Sequence, residues 1–271
     1  VISNTTHTVK TYDGNQNVVD DSGNVLASND LVMLTDLVEG ESNASSAVYV
    51  DSTNTATKNA TANNVKGAQG ILYTISVKKS NGQDSSGNYV VEGVSNNQIK
   101  GTGKIDQAVL ELAFAEPTKD YDTNSTATVS VSADGLKGDT FDSTQIRGTY
   151  GLNDGTWKED SNAGAKVVKY ADIDKSLGDN YGNYNVSYKT SGSSEKVING
   201  VAYGAGVINK IKLVKGSNLS LDYTPIIKTY DGDTTVSDSK SHLTVKVNGN
   251  VWSTDNFDVS AVYQNKDAGG N

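Results

Sequence analysis

Between Gly70 and Lys79, apolar side chains fall at every second position: Ile71, Tyr73, Ile75 and Val77, with Thr74, Ser76 and Lys78 between them. Residues two apart share one face of an extended chain, so this spacing predicts a half-buried strand. The same alternation runs through Ala108, Leu110, Leu112 and Phe114; Ala127, Val129, Val131 and Ala133; Tyr184, Val186 and Tyr188; and Leu243, Val245 and Val247. Asn248-Gly249 follows the last of these, and that dipeptide favours a tight hairpin into Val251. Sustained helical spacing is hard to find. The pattern predicts an all-β chain whose loops are rich in Gly, Asn and Asp.

A longer period overlies the alternation. Lys10-Thr-Tyr-Asp-Gly14 returns as Lys119-Asp-Tyr-Asp-Thr123 and Lys228-Thr-Tyr-Asp-Gly232, so Tyr12, Tyr121 and Tyr230 lie at equal intervals of 109 residues. Other landmarks recur in the same order. Tyr49, Tyr150 and Tyr263 each precede a Gly-containing stretch, "NNVKGA" from Asn63, "SNAGAK" from Ser161 and "NKDAGG" from Asn265. Gly87-Asn88-Tyr89 matches Gly182-Asn183-Tyr184, and "GTGKIDQAVLEL" from Gly101 matches "GAGVINKIKLV" from Gly204. A period near 100 residues exceeds a solenoid coil or propeller blade and suits a whole sandwich domain. The expected organisation is a first repeat at 1–112, a second at 113–223 and a partial third, its N-terminal half, at 224–271.

This ordered set resembles the YDG and related MBG-type repeats, found in tandem in bacterial filamentous-haemagglutinin-like adhesins and other surface proteins. The resemblance covers nearly the whole chain. It implies immunoglobulin-like β-sandwiches strung into an elongated rod at the bacterial cell surface, outside the cell, where they hold a binding region away from it. Its implied partners are further repeats of the same polypeptide or other copies, and host or cell-surface glycan or protein. Thr123 departs from the pattern, standing where the other copies have glycine.

Composition narrows the chemistry. The net charge is −9 without a basic run, which argues against nucleic acid as a partner, and no apolar stretch approaches a membrane span. Cysteine is absent, which removes disulfides and thiolate sites together. His7 and His242 are the only imidazoles and no Gly-x-Ser-x-Gly elbow occurs, so the reading is non-enzymatic. Tyr12, Asp13 and Gly14 read as a strand-to-turn corner: a ring to bury, a carboxylate for the next amides, and a residue tolerant of positive φ. Tyr121 with Asp122, and Tyr230 with Asp231 and Gly232, repeat that reading. Thr123 then predicts a different turn or a negative φ. Tyr89 and Tyr184 are expected to enter the core after a turn.

Three other chemistries compete. Asp13 with Asn15, and Asp120 with Asp122, place oxygens at alternate positions as a calcium loop does, yet both lack the later glycine and glutamate of an EF-hand. Calcium is therefore the one candidate cofactor. Lys10, Lys119 and Lys228 with Asn88 or Asn183 could form intramolecular isopeptide bonds. Trp157, in the loop-like "NDGTWKED", is the candidate glycan contact, and Trp252 is the second tryptophan. The alternatives to a stalk are a carbohydrate-binding array, or a self-assembling surface-layer or filament subunit completed by strand donation.

Overall fold

The structure, a computed structural model, describes residues 1–190, 193–236, 242–251 and 261–264. Helix among them is confined to the single turn Ser28–Leu31, the position His242 and short 3-10 turns, and the fold is all-β. The chain divides into two compact units. One comprises Val1–Pro117, Thr126–Tyr150 and Val167–Gly206; the other comprises Thr118–Ser125, Gly151–Lys166 and Val207–Asn271.

The N-terminal part of the first unit contributes β1 (Val9–Thr11), β2 (Glu41–Asn43), β3 (Ser46–Val50), β4 (Gly70–Thr74), β5 (Val77–Lys79), β6 (Gln98–Gly101) and β7 (Lys104–Asp106). β4 sits between β3 and β6, both antiparallel to it, while β5 pairs with β2. The period-two pattern therefore runs on through Val77 although the pairing partner changes. Ile71, Tyr73, Ile75 and Val77 are all buried, as their shared face requires. β1 lies parallel to β7, with Lys10 opposite Ile105. A parallel pair cannot be closed by a hairpin, so a long stretch of chain separates these two paired strands.

The remaining strands are β8 (Ala108–Phe114), β9 (Thr118–Asp120), β10 (Thr126–Ala127), β11 (Val131–Asp134), β12 (Arg147–Asn153), β13 (Trp157–Glu159), β14 (Gly164–Ala171), β15 (Tyr184–Thr190), β16 (Ser193–Lys196), β17 (Ala202–Asn209), β18 (Leu219–Tyr223), β19 (Leu243–Val247) and β20 (Asn250–Val251). In the first unit β8 is flanked by β11 and by β15, which runs parallel to it. β8 spans the expected boundary at 112. Phe114 of β8 stacks on Tyr170 of β14 with centroids 4.0 Å apart, so side chains of two different sheets share one core. Fully burying a Leu or Ile there stabilises by about 1.5–3 kcal/mol, and Leu110, Leu112, Val168 and Ile173 are all sealed from water.

The alternating run from Ala127 to Ala133 is not one strand. Its start, β10, pairs with β12, while its end, β11, pairs with β8 in another sheet. Alternation records which side chains face inward and survives such a crossover, so it could not reveal the break.

In the second unit, Val207–Asn209 of β17 lies parallel to β9 with Lys119 opposite Ile208, the counterpart of Lys10 opposite Ile105. The end of β12 forms a hairpin with β13. β18, β19 and β20 make an antiparallel sheet, and Asn248 and Gly249 both take positive φ in the two-residue turn joining β19 to β20.

Candidate functional site

The three Lys-x-Tyr-Asp corners share a local design. In each, the Asp Oδ1 accepts the amide two residues on: from Asn15 at 3.0 Å, Asn124 at 3.1 Å and Asp233 at 3.1 Å. Each Lys Nζ then closes on that Asp Oδ1, at 2.7 Å for Lys10, 2.6 Å for Lys119 and 2.8 Å for Lys228. Lys10 also donates to the backbone and side-chain oxygens of Asn15 at 2.7 and 2.9 Å; Lys119 does the same to Asn124, both at 2.7 Å. Lys228 instead reaches Asp233 and the Thr235 carbonyl. The ammonium groups of Lys10 and Lys228 lie 5.4 and 5.5 Å from the ring centres of Tyr49 and Tyr263. The lysine is the hub of each corner, and in the first and third the recurring tyrosine downstream is its floor.

This geometry bears on calcium and on the cross-link. Oxygens of Asp13, Asn15 and Asp122 converge on a lysine ammonium, while Asp120 accepts from Asn209 Nδ2 at 3.3 Å. A positive charge is already present where a cation would have to enter. Among the described residues, no cluster of three or more His, Cys, Asp or Glu is arranged for a metal. Lys10 faces Asn15, whereas Asn88 is exposed and Asn183 is engaged elsewhere. Burial pulls the Lys10 ammonium below the ordinary lysine range, with Asp13 opposing; at the exposed third corner Asp231 holds Lys228 above it.

The expectation for Thr123 fails. Its φ is +70°, beside +81° at Gly14 and +80° at Gly232, so the turn is the same in all three copies. The hydrogen bonds of Lys119, Asp122 and Asn124 hold the backbone there against the β-branched side chain. A non-glycine residue in this region costs roughly 1–2 kcal/mol. Thr123→Gly is therefore expected to raise stability by about 0.5–1 kcal/mol, after allowance for glycine's greater unfolded-state entropy; urea unfolding measures it.

What distinguishes the first corner lies around it, within the first unit. Tyr12 is 1% exposed; its N–H donates to the Asp106 carbonyl at 2.8 Å and its hydroxyl to Asp139 Oδ2 at 2.8 Å. Tyr184 donates to the same oxygen at 2.7 Å, and the two rings meet edge to face at 5.4 Å. Lys58 Nζ reaches Asp139 Oδ1 at 3.5 Å, and the Asp139 side chain is only 3% exposed. A Cβ added to Gly14 would stand 2.5 Å from the Lys137 carbonyl oxygen. Residues around Tyr12 thus close over residues around Asp139 and Tyr184.

A second cluster abuts the first. The loop from Thr57 to Ala68 is folded on itself: Asn59 Nδ2 donates to the Val65 carbonyl, Thr57 Oγ1 to that of Lys66, and the Val65 amide to Asn63 Oδ1. It presents the Ala60 amide and Asn63 Nδ2 to Asn183 Oδ1, at 2.9 and 2.8 Å. Asn183 is fully buried, and a Cβ on Gly182 would stand 2.9 Å from Asn63. The Gly-Asn-Tyr element is therefore a joint: glycine allows close approach, asparagine accepts the amides, and tyrosine shares the carboxylate.

Burial, the Asp139 hydrogen bond and the nearby charge push the Tyr184 phenol up to about 12, and the same causes raise Tyr12. Both phenols keep their protons above the unfolded value near pH 10. Their contribution is therefore complete below about pH 10 and is lost as pH climbs through the folded values. The melting temperature is expected to fall between about pH 10 and 12 as late-ionising phenolate absorbance appears, and Tyr12→Phe with Tyr184→Phe should flatten that fall.

Tyr89 does not follow Tyr184 into the core. It is half-buried, and its hydroxyl donates to Glu41 and accepts the Val38 amide at 3.2 Å. The local frame nevertheless matches: both tyrosines leave a 3-10 turn with nearly equal dihedrals, and the acid in each case follows a glycine of positive φ, Gly40 before Glu41 and Gly138 before Asp139. Tyr184 is buried because Tyr12 covers it. Tyr121 is half-buried, its amide donating to the Asn209 carbonyl at 3.0 Å, and Tyr230 is 60% exposed.

Glu41, Lys58 and Asp139 were not singled out from sequence. The glycine-acid pairs were the available signal, but loops of unequal length hid their equivalence. Trp157 is half-buried at the β12–β13 hairpin, its ring covering Gly151. Trp252 lies outside the described residues.

No family model and no curated protein matches the chain. Among solved structures it is similar to InvD of Yersinia pseudotuberculosis at 13% identity, with 88% of this chain and 66% of that one covered and a TM-score of 0.22; it spans just under two thirds of that protein's length.

Proposed function

We propose that this chain is a run of tandem immunoglobulin-like sandwich repeats, of the YDG/MBG kind, from the stalk of a bacterial cell-surface adhesin. Its role is mechanical: repeats joined through buried contacts hold a binding region at a distance from the cell, with no chemical step. The observation that carries this reading is the junction in the first unit, where Tyr12, Asp139, Asn183 and Tyr184 are landmarks or neighbours of landmarks and meet across two copies. Ligand-binding residues would instead be left open to solvent. The stacked Phe114 and Tyr170 rings support the two-layer sandwich.

Small-angle scattering of the dilute chain tests the proposal. A compact 271-residue globule has a radius of gyration of about 18–19 Å; a stalk segment should clearly exceed it, and a value at that figure would rule out a rod. A second reading, a filament subunit completed by strands from another molecule, is favoured by Leu221, Tyr223 and Val251, apolar side chains exposed on the β18–β20 sheet. Glycan binding lost on Trp157→Ala would favour a carbohydrate-binding array instead.

A further inference from the structure

The first copy carries the same acceptor face that the second copy uses at the junction. Gly182, Asn183, Tyr184 and Asp139 are covered by the Tyr12 corner and the Ala60–Asn63 loop. Their counterparts are Gly87, Asn88, Tyr89 and Glu41. The tyrosine-carboxylate hydrogen bond is already made there, and a backbone amide already supports the tyrosine hydroxyl. Yet Asn88 is exposed, a Cβ on Gly87 would meet nothing within 4 Å, and Val38 beside them is largely exposed. The chain also carries a complementary surface. The Lys228 corner has its lysine hub assembled, and Tyr230 projects into solvent, with nothing within 4 Å of a Cβ on Gly232.

We propose that the Gly87-Asn88-Tyr89 and Glu41 face is a docking site for the Lys-Thr-Tyr-Asp corner of a second copy of this chain, Tyr230 donating to Glu41 as Tyr12 donates to Asp139. The inference rests on the tandem-repeat reading, because it transfers a junction seen between two copies to a contact between two molecules. Such a contact joins unlike surfaces and need not close, so it builds head-to-tail filaments.

Sedimentation of the full chain at concentrations rising to about 1 mM tests it, the range in which a weak single contact becomes visible. The expected result is a mass that grows with concentration. Tyr230→Ala removes the donor and Gly87→Phe blocks the acceptor, since a bulky side chain there fills the open space beside Tyr89; each should weaken association at least tenfold. Both positions are exposed, so far-ultraviolet circular dichroism should show unchanged folding. A mixture of the two variants leaves one intact donor and one intact acceptor, and should stop at dimers. A chain that stays monomeric throughout, or association indifferent to both variants, overturns the proposal. An elongated monomer by dilute scattering would then leave the stalk reading standing, whereas a compact one would remove both.

Discussion

Tyr12→Ala is expected to destabilise the chain by about 3–5 kcal/mol, the range for truncating a large buried aromatic, while Tyr230→Ala should stay within about 0.5 kcal/mol. The two tyrosines occupy the same position in the same pentapeptide. Tyr12 is 1% exposed, packs edge to face on Tyr184 and donates to Asp139; Tyr230 is 60% exposed. Losing Tyr12 removes the ring, leaves a cavity between two copies and uncovers Tyr184. Urea unfolding of both variants measures the contrast. Equal effects would mean that the tyrosine acts within its own corner and that the junction contributes nothing.

Asp139→Ala is expected to cost about 2–6 kcal/mol, because it leaves two buried tyrosine hydroxyls without their acceptor at roughly 1–3 kcal/mol each. Lys58 adds little to this sum, since its side chain is half exposed and water can replace the carboxylate. Asp139→Asn keeps an oxygen that can accept from both phenols, so it should cost less than half as much as alanine. The comparison isolates hydrogen bonding from charge. Unfolding monitored by urea, with the melting profile between pH 8 and 12 alongside, provides both readouts. An asparagine variant as unstable as the alanine one would show that the charge, rather than the acceptor, holds the joint.

These effects rest on residues of very unequal visibility. The strands around Ile71, Leu110, Val186 and Val245 were legible because burial on one face forces apolar residues to every second position. The Asn248-Gly249 turn was legible because few residues tolerate two successive positive φ angles. The corners were legible as a recurrence, and their lysine hub follows from residues at most seven positions apart.

Thr123 was misread because threonine's preference for negative φ is a local tendency, overruled by hydrogen bonds that Lys119 and Asn124 donate to Asp122. The Ala127–Ala133 run was misread because a period of two reports facing, not pairing.

By itself, then, the sequence determined the all-β class and the 109-residue recurrence, the first because side-chain alternation and turn residues act between neighbours in the chain. Only the tertiary structure decided that Tyr12, Asn63, Asp139, Asn183 and Tyr184 form one joint while Tyr89 and Tyr230 remain open. Identical motifs acquire different burial from what packs against them, and that partner lies more than a hundred residues away along the chain, beyond the reach of any local pattern.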